Sequence, residues 1–128
     1  MKYLFVCTGN RDRSPLVEDF CRRKYGRLGH EFRSRGLEVI KPVYYWFNGR
    51  KSASLTPEDL DWADEVWVMT EGHRQMLSDK HHYKGKIVVL DINDDYDAAF
   101  KTDRRTLLKV LEKKIGLDGR GNLVLSVR

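Results

Sequence analysis

Lys2-Tyr3-Leu4-Phe5-Val6-Cys7-Thr8-Gly9-Asn10-Arg11-Asp12-Arg13-Ser14-Pro15 is the stretch from which the fold can be read. The apolar run Tyr3 to Val6 predicts a short buried strand that stops at Cys7. Pro15 suits the first turn of a helix, because its fixed φ and missing N–H cost nothing there. Between strand and helix lies a short polar loop. Such a loop gathers backbone N–H groups and a helix N-terminus around one point, and that arrangement favours an anion. A cysteine at its base is expected to be held partly as thiolate. Arg13 presents a planar fork that can grip two phosphate oxygens. A nucleophilic sulfur and a guanidinium aimed at one anion suit cleavage of a phosphate ester.

Outward from this loop, the 128-residue chain is expected to form one domain spanning residues 1–128. Its residues are 41% hydrophobic and 34% charged, enough for one core under a solvated surface. No apolar run is long enough to span a membrane, and no secretory signal opens the chain. The expectation is a cytoplasmic protein with no membrane partner, a monomer or weak dimer. Two cysteines, Cys7 and Cys21, give no disulfide framework. The net charge of +5 is uneven: residues 1–54 hold 12 Lys and Arg against five Asp and Glu. The cationic excess therefore accompanies the loop and would draw in a dianionic substrate. It could also serve nucleic acid, but no helix-turn-helix, zinc-finger or RNA-binding aromatic motif accompanies it.

Further along, Pro15 to Tyr25 reads as a helix with Val17, Phe20 and Cys21 on its inner face. His30 to Arg35 is a second strand. Thr56-Pro57-Glu58-Asp59 is a helix start, with Thr as cap and Pro at the first position. Glu65 to Met69, nearly all apolar, reads as a strand covered on both faces. Glu71 to Leu77 is a helix, Ile87 to Leu90 a strand, and Thr102 to Ile115 a helix with Leu107, Leu108, Leu111 and Ile115 on one stripe. Residues 116–128 read as an added edge strand or a tail. Strands alternating with helices imply an α/β fold in three layers, a four-stranded parallel sheet flanked by helices. Ligands of such folds sit at the carboxyl ends of the strands, where Cys7 and Asp91 both fall.

Val6-Cys7-Thr8-Gly9-Asn10 followed by Arg13-Ser14-Pro15 resembles the signature of the low-molecular-weight protein tyrosine phosphatases. Trp62 to Met69 and Val89 to Tyr96 resemble the small prokaryotic branch of that family. The resemblance spans about residues 1–116. It implies a flavodoxin-like fold of the phosphotyrosine phosphatase I type and cleavage of phosphotyrosine or a small aryl phosphate without metal or cofactor. Cys7 then corresponds to the nucleophile that forms a phosphocysteine, and Arg13 to the phosphate clamp. Thr8, Gly9, Asn10, Arg11, Asp12 and Ser14 form the phosphate-binding loop, with Ser14 stabilising the thiolate and Asn10 bracing the turn. Ser34 corresponds to a serine that supports Asn10. An aspartic acid from the loop after the fourth strand should protonate the leaving group; Asp91 fits by register and Asp94 is the second choice. Arg11 and Asp12 stand where the family usually has an apolar residue and often a second cysteine. Asp12 is expected to oppose an anion unless its side chain points outward, and Arg11 can offset it.

Other readings use the same residues. Arsenate reduction would need an external thiol, because Cys21 falls on a core-facing stripe. A loop spoiled by Asp12 would leave a phosphate-binding module without turnover. Asp91 to Asp97 has alternating oxygen ligands, but Tyr96 replaces the glycine of a calcium loop. His30, His73 and the His81-His82 pair show no zinc spacing. Tyr44, Tyr45, Trp46 and Phe47 either wall the pocket or anchor a long loop, and Tyr96 carries the same ambiguity.

Overall fold

The computed structural model describes residues 1–39, 42–45, 49–96 and 100–126. Trp46, Phe47 and Asp97 lie outside them. Four parallel strands form the central sheet: β1 (Lys2–Cys7), β2 (Glu31–Gly36), β3 (Glu65–Val68) and β4 (Ile87–Val89), in the order β2-β1-β3-β4. Strand β1 is central and buried along Tyr3 to Cys7, which explains its unbroken apolar run. Alternation sends Tyr3, Phe5 and Cys7 to one face and Leu4 and Val6 to the other.

Each face is covered. On the first, α1 (Arg13–Tyr25) supplies Leu16, Val17, Phe20 and Cys21, and α4 (Lys101–Lys114) supplies Leu107 and Leu111. On the second, Leu60 and Trp62 of α2 (Pro57–Trp62) and Leu77 of α3 (Glu71–Asp79) pack on Leu4, Val6, Val66 and Val68. The three-layer expectation is met. Helices α2 and α3 both open with capping boxes, Thr56 with Asp59 and Thr70 with His73. The first was readable from Thr-Pro-Glu-Asp. The second uses an imidazole where Glu or Gln is usual.

The C-terminal stretch is neither an edge strand of the main sheet nor a loose tail. Strands β5 (Ile115–Leu117) and β6 (Leu123–Leu125) form a separate antiparallel ribbon directly after α4. Its anchor is Leu123, buried in the core, whose amide donates to the Tyr3 hydroxyl at 2.9 Å. A three-residue strand that buries one leucine this way has no need of the main sheet's edge.

The strand order places a switch point at β1, where the chain crosses to β2 on one side and later to β3 on the other. A crevice opens at the carboxyl end of such a strand. Cys7 is the last residue of β1.

Candidate active site

Beyond Cys7 the chain turns tightly over the end of β2. Leu37 N–H donates to Cys7 O at 2.9 Å and Glu38 N–H to Thr8 O at 2.8 Å, tying the loop to the exit of β2. Asn10 adopts a left-handed conformation, φ 49°, that asparagine tolerates better than most residues. Gly36 makes the approach possible. A Cβ there would lie 2.7 Å from Asn10 N and 2.8 Å from Gly9 C, contacts that backbone atoms cannot yield.

Asn10 is 1% exposed and acts as the loop's internal strut. Its Nδ2 donates to Ser14 Oγ at 2.9 Å. Its Oδ1 accepts from Ala53 N at 2.9 Å and from the Tyr45 hydroxyl, which also reaches Asn10 O. Burial, then the charge of a Cys7 thiolate, push the Tyr45 hydroxyl up, so it stays a donor. Tyr45 therefore braces the loop, while Tyr44 is exposed. Ser34 is buried on β2, yet among the described residues it makes no hydrogen bond to Asn10; Tyr45 and Ala53 hold the oxygen that Ser34 was expected to support.

Cys7 Sγ lies 3.0 Å from Ser14 Oγ. Arg13 is the first residue of α1, 7% exposed, and its Nη1 donates to Ile92 O at 2.9 Å. That bond locks the guanidinium against the loop after β4. No side-chain hydrogen bond caps the first turn of α1, so its amides are available to an anion. Cys7, Thr8, Gly9, Arg11, Asp12, Arg13, Asp94 and Tyr96 line one cleft of about 300 Å³. Asn10 and Ser14 lie beneath it and act by bracing. Arg11 and Asp12 both line the cleft, so the added negative charge has a cation beside it. A larger hollow of about 530 Å³ between α1 and α4 holds no cysteine or histidine among its lining residues.

The two candidate acids part company here. Asp94 lines the cleft of Cys7. Asp91, the choice by register, lines a different hollow beside α4 with Lys113 and Lys114. The reason is local: Asp91 takes a left-handed turn, φ 58°, with its carbonyl held by Lys114 Nζ at 2.9 Å. The next residue, Ile92, is buried and bonded through its amide to Met69 O at 2.7 Å. The chain returns to the cleft only at Asp94.

His73 was passed over as an isolated histidine. Its Nε2 lies 2.9 Å from Thr8 Oγ1, so it joins α3 to the loop. The readable signal was Thr70-x-x-His73 directly after β3, a helix start that must lie beside the end of β1. Cys21 is fully buried in α1, and burial pushes its thiol far up, so it offers the loop no resolving thiol. Among the described residues, no three His, Cys, Asp or Glu side chains gather as metal ligands would.

A cysteine at the end of the first strand, an arginine opening the next helix and a parallel sheet of this order define a phosphatase-like α/β fold. In sequence and in fold the chain resembles the low-molecular-weight protein-tyrosine phosphatases. It is 30% identical over 91 residues to a protein-arginine-phosphatase of Geobacillus stearothermophilus, covering 62% of this chain and 61% of that protein. It is 33% identical over 89 residues to the low-molecular-weight protein-tyrosine-phosphatase PtpB of Staphylococcus aureus, covering 60% and 62%. The matched stretch thus spans about three fifths of these relatives. The solved YwlE arginine phosphatase of Geobacillus stearothermophilus superposes with a TM-score of 0.69 at 25% identity, covering 87% of this chain and 88% of that one. No family model matches the chain.

Proposed function

We propose that this chain is a phosphomonoester hydrolase working through a phosphocysteine, most readily on phosphotyrosine or a small aryl phosphate. The observation that carries the reading is one cleft holding Cys7, Arg13 and Asp94, with Ser14 Oγ 3.0 Å from the sulfur. The Cys7 thiolate attacks phosphorus while the bond to the leaving oxygen breaks, and Asp94 gives that oxygen its proton. The Ser14 hydroxyl donates to the thiolate. Arg13 and the amides of the loop and of α1 stabilise the equatorial oxygens as charge spreads over them. Water then attacks the phosphocysteine, with Asp94 as base; the S–P bond breaks, and inorganic phosphate and the thiolate are released.

The relatives include phosphatases named for tyrosine and for arginine. Tyr96, which lines the cleft, favours the former. A phosphotyrosine brings a neutral ring, for which Tyr96 and the stem of Arg11 supply apolar surface.

The test is turnover of p-nitrophenyl phosphate, then of phosphotyrosine and phosphoarginine peptides. Wild-type protein should turn over the aryl ester and Cys7→Ser should lose at least about a thousandfold. Equal rates for the two would refute the cysteine mechanism. Faster release from phosphoarginine would reverse the substrate order.

A further inference from the structure

The histidine at the start of α3 is more than a cap. The Thr70 amide donates to His73 Nδ1 at 3.2 Å, so that nitrogen offers a lone pair and carries no proton. The ring proton of a neutral imidazole therefore sits on Nε2, and Nε2–H donates to Thr8 Oγ1 at 2.9 Å. His73 is buried, and burial, followed by the charge of Arg13, holds it down to about 4, so it stays neutral near pH 7. A threonine oxygen that accepts this bond keeps its own O–H for another acceptor. Thr8 lines the cleft with Cys7 and Arg13. No other hydrogen bond of its hydroxyl exists among the described residues.

We propose that His73 is a positioning residue that fixes the Thr8 hydroxyl as a hydrogen-bond donor to the phosphoryl group bound over Cys7. This rests on the phosphatase reading of the cleft and adds to it a donor directed from outside the loop. The imidazole stands at the third position of α3 and spans from the amide of the N-cap residue Thr70 to the loop. The N-terminus of α3 and the phosphate loop are thereby joined through one ring. Orientation is the commodity: a free threonine rotor would lose part of its donor alignment to other rotamers.

The experiment is a double-mutant cycle with a rescue arm. His73→Leu and Thr8→Val should each lower kcat on p-nitrophenyl phosphate about tenfold, the size of one hydrogen bond to a charged acceptor, with KM moving less. The double variant should be no slower than either single one, because both remove the same interaction. His73→Gln should restore most of the rate, since glutamine can accept the Thr70 amide and still donate. Additive losses near a hundredfold, or a Thr8→Val enzyme as fast as wild type, would overturn the proposal. Two readouts do not depend on turnover. Nitrogen-15 spectra of the imidazole should show Nε2 protonated and Nδ1 bare, and inorganic phosphate should bind the Leu and Val variants about tenfold more weakly. The opposite tautomer or unchanged phosphate affinity refutes the role of His73. An inactive wild type that still binds phosphate tightly, with that dependence on His73, refutes only the hydrolase reading.

Discussion

The two loops that meet over Cys7 are built on opposite plans. The loop after β1 is over-determined: Asn10 is buried and bonded to Ser14, Tyr45 and Ala53, and Gly36 lets its backbone lie against β2. The loop after β4 is held at Ile92, by Met69 and by Arg13, and its next three residues, Asn93, Asp94 and Asp95, are exposed. Among the described residues, a bond from Asp95 N to Asn93 Oδ1 at 3.2 Å shapes it. A site that must hold dispersed charge in a fixed cradle gains from rigidity. A proton donor that must follow leaving groups of different shape gains from room to move. Arg13 connects the two, since it opens α1 from the first loop and bonds to the second.

The sharpest way to separate them is at the acids. Asp94→Asn is expected to lower kcat about a hundredfold or more on an aryl ester with a poor leaving group, and much less on an activated one. Asp91→Asn, on the far side of the turn, should change either rate less than twofold. Equal losses for the two would place the donor by register after all. A flat response from both would move the acid to another residue and break the comparison.

The braced loop should fail differently. Gly36→Ala is expected to cost about 1–3 kcal/mol of stability through overpacking against backbone. It should also lower kcat/KM about a hundredfold, because the loop amides shift relative to the sulfur. Thermal midpoint and kcat/KM measured together check it; a loss of stability with unchanged kinetics would mean the loop tolerates displacement.

His73 adds a pH signature on the braced side. Held down to about 4 in the fold against about 6.5 in the unfolded chain, it takes a proton on unfolding throughout that interval. Stability is therefore full above about 6.5 and falls as pH drops toward 4, by up to about 3 kcal/mol. Urea unfolding from pH 7 to 4.5 should show the slope, and His73→Gln should flatten it. An unchanged slope in that variant would assign the titration to other groups.

What the amino-acid sequence disclosed follows from range. Strands and helices follow from local periodicity, and Cys7 and Arg13 lie six residues apart on one continuous turn, so the elements and the loop that carries Cys7 were legible. Asp91 falls outside the cleft of Cys7 because its own left-handed turn, φ 58°, redirects the chain, and nothing in Asp91-Ile92-Asn93 announces it. Ser34 makes no bond to Asn10 among the described residues, and a tyrosine 35 positions beyond Asn10, together with the Ala53 amide, holds the Asn10 side-chain oxygen. His73 was hidden because its partner, Thr8, is 65 residues away. Residues 116–128, read as an edge strand or a tail, formed neither of these in the described part because their pairing is local: Ile115, expected to end the last helix, instead opens β5 against β6.

Tyr45 supplies the mildest test. Its hydroxyl donates to both oxygens of Asn10, and no other residue emerges from the irregular stretch after β2 to do so among those described. Removing it in Tyr45→Phe leaves the ring in place and strips both oxygens of a donor; the Ala53 amide still holds Oδ1, while the Asn10 backbone oxygen keeps no other hydrogen bond among the described residues. Oδ1 keeps one partner of two, and the backbone oxygen is left unsatisfied, so the variant costs about 1–3 kcal/mol. The Nδ2 bond to Ser14 persists, so the hydroxyl near the sulfur keeps its support. The expected result is a fall in kcat/KM of about fivefold to tenfold, with the thermal midpoint lower by a few degrees. If Tyr45→Phe proves as damaging as Gly36→Ala, the loop has one essential strut and is not over-determined. If it is silent, the Ala53 amide suffices alone and the bracing is more redundant than the hydrogen bonds imply.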